Sequence, residues 1–421
     1  MKKIVLSLLF TVFIIGFIEQ EQKVEANTVD EFMEEQQSQK QEKLLTKLEK
    51  ELSKMDLSLE SLSETGDMYF DGDQMILQIA NSTASKKDQK RFEKLGRITK
   101  KLAQSSPTEI KVVATKYTSK ELIDMQNNFE SKANELGLTD KYKLSLNSEF
   151  NRLELVIESL SEQSTKELQS LYGEALSIKV DANISEKMES EFQAFKPRKS
   201  DFNSQGGGIG IKTTTATSGS YYNCTTAGVA QKGANTWVMS AGHCAQHSDT
   251  FYQWNSSSPL GYTHLNATAS DYDFLLIKVS GSPLKRYATN GLYNDTADTS
   301  TGYDGSLTGS IEQYQGMQVC KVGITTNRTC GVVTVKRERA GSIFNNGAVY
   351  FVVENNGAVI SKGGDSGAPW FTQSRPYRLV GIHSRGLPTG DSTRAFATPW
   401  TEVADKYGLS LYSGSASLPM N

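Results

Sequence analysis

Four histidines occur in 421 residues, and one of them, His243, stands in Ser240-Ala241-Gly242-His243-Cys244 directly after the apolar run Trp237–Met239. An imidazole is the side chain best suited to exchange protons near neutral pH. A second candidate is Ser366, set in Lys362-Gly363-Gly364-Asp365-Ser366-Gly367-Ala368-Pro369. In such a turn backbone N–H groups can approach a ligand because no Cβ obstructs them. Those amides can form an oxyanion hole, a set of preorganised donors for a developing negative charge. A third is Asp271-Tyr272-Asp273, followed by Phe274-Leu275-Leu276-Ile277, which places carboxylates at the mouth of a buried strand. A buried carboxylate needs a partner. Each feature alone is common. Together they could perform acyl transfer, because a serine hydroxyl needs a base, and the base needs a carboxylate that fixes its tautomer and stabilises the imidazolium.

The elements that must position these groups lie in one half of a divided chain. Of 93 charged residues 63 fall in positions 1–200, whereas 28 of 34 glycines fall in positions 201–421, so two different kinds of protein share one sequence. After Gly206-Gly207-Gly208, short β-branched and aromatic runs are punctuated by turn signals such as Asn345-Asn346-Gly347 and Asn355-Asn356-Gly357 around the strand Ala348–Glu354. Helical pattern returns only near Trp400–Tyr407. About 215 residues of this kind predict a mainly β barrel or sandwich domain.

The first half reads differently. Met1-Lys2-Lys3, an apolar run from Ile4 to Ile18 and Val24-Glu25-Ala26 form a secretory signal, residues 1–26, too short for a spanning helix. From Asn27 to about Arg97 the Glu, Gln, Lys and Ser content, with Leu44, Leu45, Leu48 and Leu52 at helical spacing, reads largely as solvated helix. Residues 110–180 then follow the order β-α-β-β-α-β, which predicts a small split βαβ sandwich. This half has no histidine or cysteine and offers no catalytic constellation. The natural boundary is the basic, then flexible stretch Lys196-Pro197-Arg198-Lys199-Ser200 through Gly208, giving segments 27–205 and 206–421. Cys224, Cys244, Cys320 and Cys330 suggest two disulfides, and four cysteines permit three pairings. Their spacing fits no familiar zinc pattern, and neither metal nor cofactor is expected. The second half carries 16 Lys+Arg against 14 Asp+Glu, which gives no reason to expect nucleic acid.

The order His, Asp, Ser is that of chymotrypsin-like double barrels. Residues 206–421 resemble a secreted trypsin/chymotrypsin-type serine endopeptidase, particularly the bacterial streptogrisin and α-lytic protease branch. The segments that carry the likeness are Ser240–Cys244, Asp273–Val279, Gln318–Gly331, Gly363–Pro369 and Val380–Gly386. The resemblance implies His243 as base, Ser366 as nucleophile, and the amides of Gly364 and Ser366 as oxyanion hole. Asp273 is preferred to Asp271 as the carboxylate because four apolar residues, Lys278 and Val279 follow it. It further implies the disulfides Cys224–Cys244 and Cys320–Cys330, a support for the buried aspartate in Ser384, and a charge partner for the buried Asp365. In bacterial relatives that partner is an arginine, where this chain has Lys321.

Secretion as a zymogen also follows from the resemblance, with an α+β pro-region that aids folding and then inhibits, protein or peptide substrates, and a monomer. The pocket is expected to favour glutamate. Ile360 replaces the carboxylate that selects basic side chains, His383 occupies the position of a pocket histidine in glutamyl endopeptidases, and Ser361 matches a pocket hydroxyl. Ser384 and Gly386 complete the groove, Gly386 lacking a hydroxyl found in one glutamyl type. The competing expectations are apolar or aromatic primary specificity, and an inactive secreted binding protein on the same scaffold.

Overall fold

The computed structural model describes residues 33–80, 86–136, 138, 142–182, 202–214, 221–245, 248–253, 256–268, 271–280, 285–294, 303–340, 348–387 and 392–420. The expected signal at 1–26, the basic stretch 196–200 and the expected turn Asn345–Gly347 lie outside them.

Runs of alternating β-branched residues need a partner at every edge, and the second half meets that need by closing sheets on themselves. Ser204–Thr214 pairs with Tyr221–Lys232, which pairs with Asn235–Ser240. The ring continues through Leu275–Val279 and Pro259–Asn266 to Thr250–Gln253, which returns to the first strand. The same connection order recurs in Gln318–Gly323, Asn327–Ala340, Val349–Glu354, Arg394–Pro399, Tyr377–Gly386 and Pro369–Thr372, the last pairing with the first. Two six-stranded antiparallel barrels result. The inward positions of the first are filled by Ile211, Val238, Leu260, Leu275 and Ile277. Met239, Phe274, Leu292, Val322, Phe371 and Ile382 pack between the barrels. The opening strand starts at Ser204, ahead of the expected start at Gly206, and Gln205 is buried with its side-chain amide bonded to the Phe202 carbonyl.

The N-terminal region repeats one arrangement twice. A hairpin, Gly66–Asp71 with Gln74–Ala80, is followed by the helix Lys86–Ser105 and a strand, Ile110–Thr115, parallel to the second hairpin strand. A second hairpin, Tyr142–Asn147 with Arg152–Ile157, is followed by the helix Glu162–Tyr172 and the parallel strand Leu176–Val180. The expected β-α-β-β-α-β order is present, but its first strand belongs to the other sheet and the six elements do not make one sandwich. The intervening helix Ser119–Glu135 opens on a capping box between Thr118 and Glu121.

The segment read as largely solvated helix is a packed unit. Leu44, Leu45, Leu48 and Leu52 of helix 33–53 are buried in one cluster with Met317, Val319 and Val333 of the second barrel. Met68, Phe70, Met75 and Leu77 of the first hairpin join that cluster. The charged face of the helix hid the stripe, and part of what buries it, Met317, Val319 and Val333, lies more than 250 residues away in sequence. The hairpin had a legible turn signal, Asp71-Gly72-Asp73, with Gly72 at φ 57°.

Two further contacts bind the halves. Lys143–Leu146 pairs antiparallel with Arg337–Ala340, so the sheet of the second barrel runs on into the N-terminal region. The buried Lys336 ammonium sits 2.6 Å from Asp67 and 3.1 Å from Glu312. Among the described residues no helix is long and apolar enough to cross a membrane.

Candidate active site

His243 lies in the 3-10 turn Gly242–Ala245, where the strand Asn235–Ser240 leaves the first barrel. Cys244 is disulfide-bonded to Cys224 and ties this turn to the neighbouring strand, and Cys320 is bonded to Cys330 across the second barrel's first hairpin. Asp273 stands just before the buried strand Leu275–Val279. The serine loop comes from the second barrel and is pinned between the two. Thr225 N–H donates to Ser366 O at 2.7 Å, Gly367 N–H to His383 O at 2.7 Å, and His383 N–H to Ala368 O at 2.8 Å. Only glycine suits position 367, because φ is 88° and a Cβ would lie 2.1 Å from Thr225 O and Ser240 Oγ.

These elements bring the three groups into one hydrogen-bonded chain. Asp273 Oδ2 is 2.7 Å from His243 Nδ1, and Asp273 Oδ1 accepts His243 N–H at 2.8 Å. His243 Nε2 is 2.9 Å from Ser366 Oγ. With Nδ1–H donating to the carboxylate, Nε2 presents its lone pair to the serine hydroxyl, which is the tautomer a general base requires. Asp273 is 1% exposed. Burial pushes its carboxyl up, but the charge and hydrogen bond of His243, the Arg385 guanidinium and the Ser384 hydroxyl outweigh burial and hold it below the usual carboxylate range. Asp271 is elsewhere, paired with Arg339 at 3.1 Å and Lys406 at 3.0 Å.

Asp365, adjacent to the serine, is wholly buried and fully bonded. Its Oδ2 accepts from Lys321 Nζ at 2.8 Å, from the Thr326 hydroxyl at 2.6 Å and from Lys362 N–H at 3.1 Å. Its Oδ1 accepts the Thr325 and Thr326 amides at 3.0 and 3.1 Å. Lysine thus stands where an arginine would make a bidentate pair, and Thr326 supplies the missing donor. Burial raises this carboxyl, and Lys321, His383 and Thr326 together lower it by more. Gly364 has φ 99°, which lets the loop turn before Asp365. Among the described residues the amides of Gly364 and Ser366 have no protein acceptor, whereas those of Asp365 and Gly367 do.

The expected pocket residues divide. His383 Nε2 is 2.7 Å from Ser361 Oγ, and a Cβ on Gly386 would lie 2.9 Å from that same oxygen, so these three converge. Ser384, expected to line the groove as well as to support the aspartate, turns its hydroxyl to Asp273 Oδ2. Burial first, then the positive charge of Lys321, pushes the His383 imidazole down to about 3, so it is neutral at ordinary pH. Two residues were missed by sequence reasoning. Trp370 Nε1–H points at His383 Nδ1 at 3.4 Å, which leaves the imidazole proton on Nε2, toward Ser361. Ser392 bridges Ser361 and lies 2.7 Å from the position of a Gly386 Cβ. Trp370 had a faint signal in its place four residues after Ser366, and Ser392 had none.

The family model for Trypsin matches residues 211–406. That span is a trypsin-family domain, and the enzyme class is serine endopeptidase. Within this trypsin-family domain lie His243, Asp273, Ser366 and every pocket residue named above. No curated protein matches the chain. Similar solved structures include a glutamic acid-specific serine protease that uses a histidine triad in substrate binding, 25% identical, with 49% of this chain and 99% of that chain covered and a TM-score of 0.38. Protease A of Thermobifida fusca is 23% identical, with 50% and 100% covered and a TM-score of 0.38. A Nocardiopsis protease is 18% identical, with 49% and 98% covered and a TM-score of 0.37.

Proposed function

We propose that this chain is the secreted zymogen of an endopeptidase in which Ser366 is the nucleophile, His243 the general base and Asp273 the carboxylate that orients it. The observation that carries the reading is the unbroken chain from Asp273 Oδ2 through both His243 nitrogens to Ser366 Oγ, with links of 2.7 and 2.9 Å. Ser366 Oγ attacks the peptide carbonyl carbon while its proton passes to His243 Nε2. The oxyanion is held by the amides of Gly364 and Ser366, the imidazolium returns its proton to the leaving amine, and water releases the acyl group by the same steps. Residues 27–205 act as a pro-region that assists folding and then inhibits, and the processed enzyme is a monomer.

The pocket reading is a preference for glutamate before the scissile bond. His383 and Ser361 support it as a neutral N–H donor and a hydroxyl, both able to bond a carboxylate. The depressed basicity of His383 favours the second reading, an apolar or aromatic side chain, because a neutral imidazole brings no positive charge to an anion. Peptides that differ only in Glu, Phe or Arg at that position decide. The Glu peptide should give the highest kcat/KM, with the advantage lost in His383→Ala, and Ser366→Ala should neither hydrolyse peptide nor react with a fluorophosphonate.

A further inference from the structure

The hydrogen-bonded chain that starts at Ser366 continues past Asp273. The Ser384 hydroxyl donates to Asp273 Oδ2, and Arg385 Nε–H donates to Ser384 Oγ at 3.2 Å. The same guanidinium brings Nη2 to 4.0 Å from Asp273 Oδ2. Successive residues of a regular strand face opposite sides and could not both serve one carboxylate. Here the pairing of Tyr377–Gly386 with Arg394–Pro399 shifts register between His383 and Arg385, and such an irregularity re-aims a side chain. The Arg385 guanidinium also lies 5.8 Å from the centroid of the Tyr350 ring, an attractive arrangement for a cation.

We infer that Arg385 is a positioning residue for the proposed catalytic chain, acting on His243 through Ser384 and Asp273 so that the carboxylate's charge is divided between the guanidinium and the imidazole. A carboxylate that faces one imidazole gives its whole negative charge to stabilising the imidazolium. Asp273 faces a guanidinium as well, so part of that stabilisation is cancelled, and the direct repulsion between the two cations has the same sign. The other groups around His243 and Asp273 do not compete. Tyr222 sets its uncharged ring edge-on to His243. Asp271 is engaged by Arg339 and Lys406, and Asp365 by Lys321. His383 is held neutral, and burial pushes the Tyr350 phenol up to about 12.

The inference rests on the triad reading, and the two fail separately. Retained turnover in Ser366→Ala removes the triad reading, whereas the pH profile of an active enzyme tests Arg385. The full chain is expressed and processed, and kcat/KM is measured against pH for the wild type, Arg385→Gln, Arg385→Met and Arg385→Lys. In both neutral variants the midpoint of the acid limb should rise by about half a unit to one unit, a loss of about three- to tenfold below it. Arg385→Lys, which keeps the charge, should stay within about 0.3 unit of the wild type. Unmoved midpoints in the neutral variants overturn the inference. So does a change confined to KM for particular peptides, which would make Arg385 a substrate contact.

Discussion

Asp273 and Asp365 flank Ser366 as two carboxylates withdrawn from water, and their surroundings differ in kind. Asp365 is met by a lysine, a threonine hydroxyl and three backbone amides, none of which has a part in the proposed proton transfer. Asp273 is met by an imidazole, which has. The first environment holds a loop still, and the second faces the group proposed to take and return the proton. Burial alone therefore does not mark a catalytic carboxylate. The chemistry of what it faces does.

The two carboxylates should differ most when Asp273 is changed. Asp273→Asn should lower kcat about 10⁴-fold, because an amide can hold His243 in the wrong tautomer. Asp271→Asn, altered at a half-exposed ion pair, should change kcat by less than about threefold. The reverse ranking on one peptide would exchange the two roles. Asp365→Asn should act on stability, since it leaves the Lys321 ammonium uncompensated where no water reaches. A loss of about 3–5 kcal/mol is expected in denaturant unfolding of the full chain. Lys321→Met should cost a similar amount, and the two changes together less than their sum. Thr326→Val removes one charge-assisted bond and should cost about 1.5–3 kcal/mol.

Acid sharpens the contrast further. The Asp365 carboxyl is lowered in the folded state, so its contribution to stability is complete above the unfolded value of about 3.9 and is lost as pH falls through the folded value. Unfolding free energy of the wild type should fall over that acidic window more steeply than that of Asp365→Asn. The smallest expected effect lies in the pocket. With His383 down at about 3, the ratio of kcat/KM for Glu and Phe peptides should stay constant between about pH 8 and pH 5.5. A drop across that range would mean that an imidazolium, and not a neutral donor, reads the substrate.

The parts of this arrangement that were legible in sequence are the ones set locally. The glycines around Ser366, the apolar run behind Asp273 and the turn that carries His243 each announce a short-range geometry. Turn residues at regular spacing likewise announce the barrels. What burial adds over long range was not legible. Leu44 and Leu48 carry the same helical spacing whether they face water or Val319, and Ile110–Thr115 has the same alternation in either of two sheets. Ser384 and Arg385 could be placed on one carboxylate only once the irregular pairing of their strand was known. The direction of the Trp370 N–H, which selects the His383 tautomer, depends on a contact between two strands and leaves no trace in composition.

The two halves touch through residues remote from the stretch that joins them. Asp67 and Glu42 reach Lys336 and Arg378, and Lys143–Leu146 runs beside Arg337–Ala340. A cut between residues 182 and 202 would therefore leave each of these bonds in place and alter only what holds the partners near one another. A tether keeps them at an effective concentration fixed by its length, whereas after cleavage they form a bimolecular complex subject to dilution. Scission and separation are then distinct events. The second is governed by how much of the N-terminal piece remains in solution, so its own digestion or simple dilution would set the moment at which the barrels stand alone.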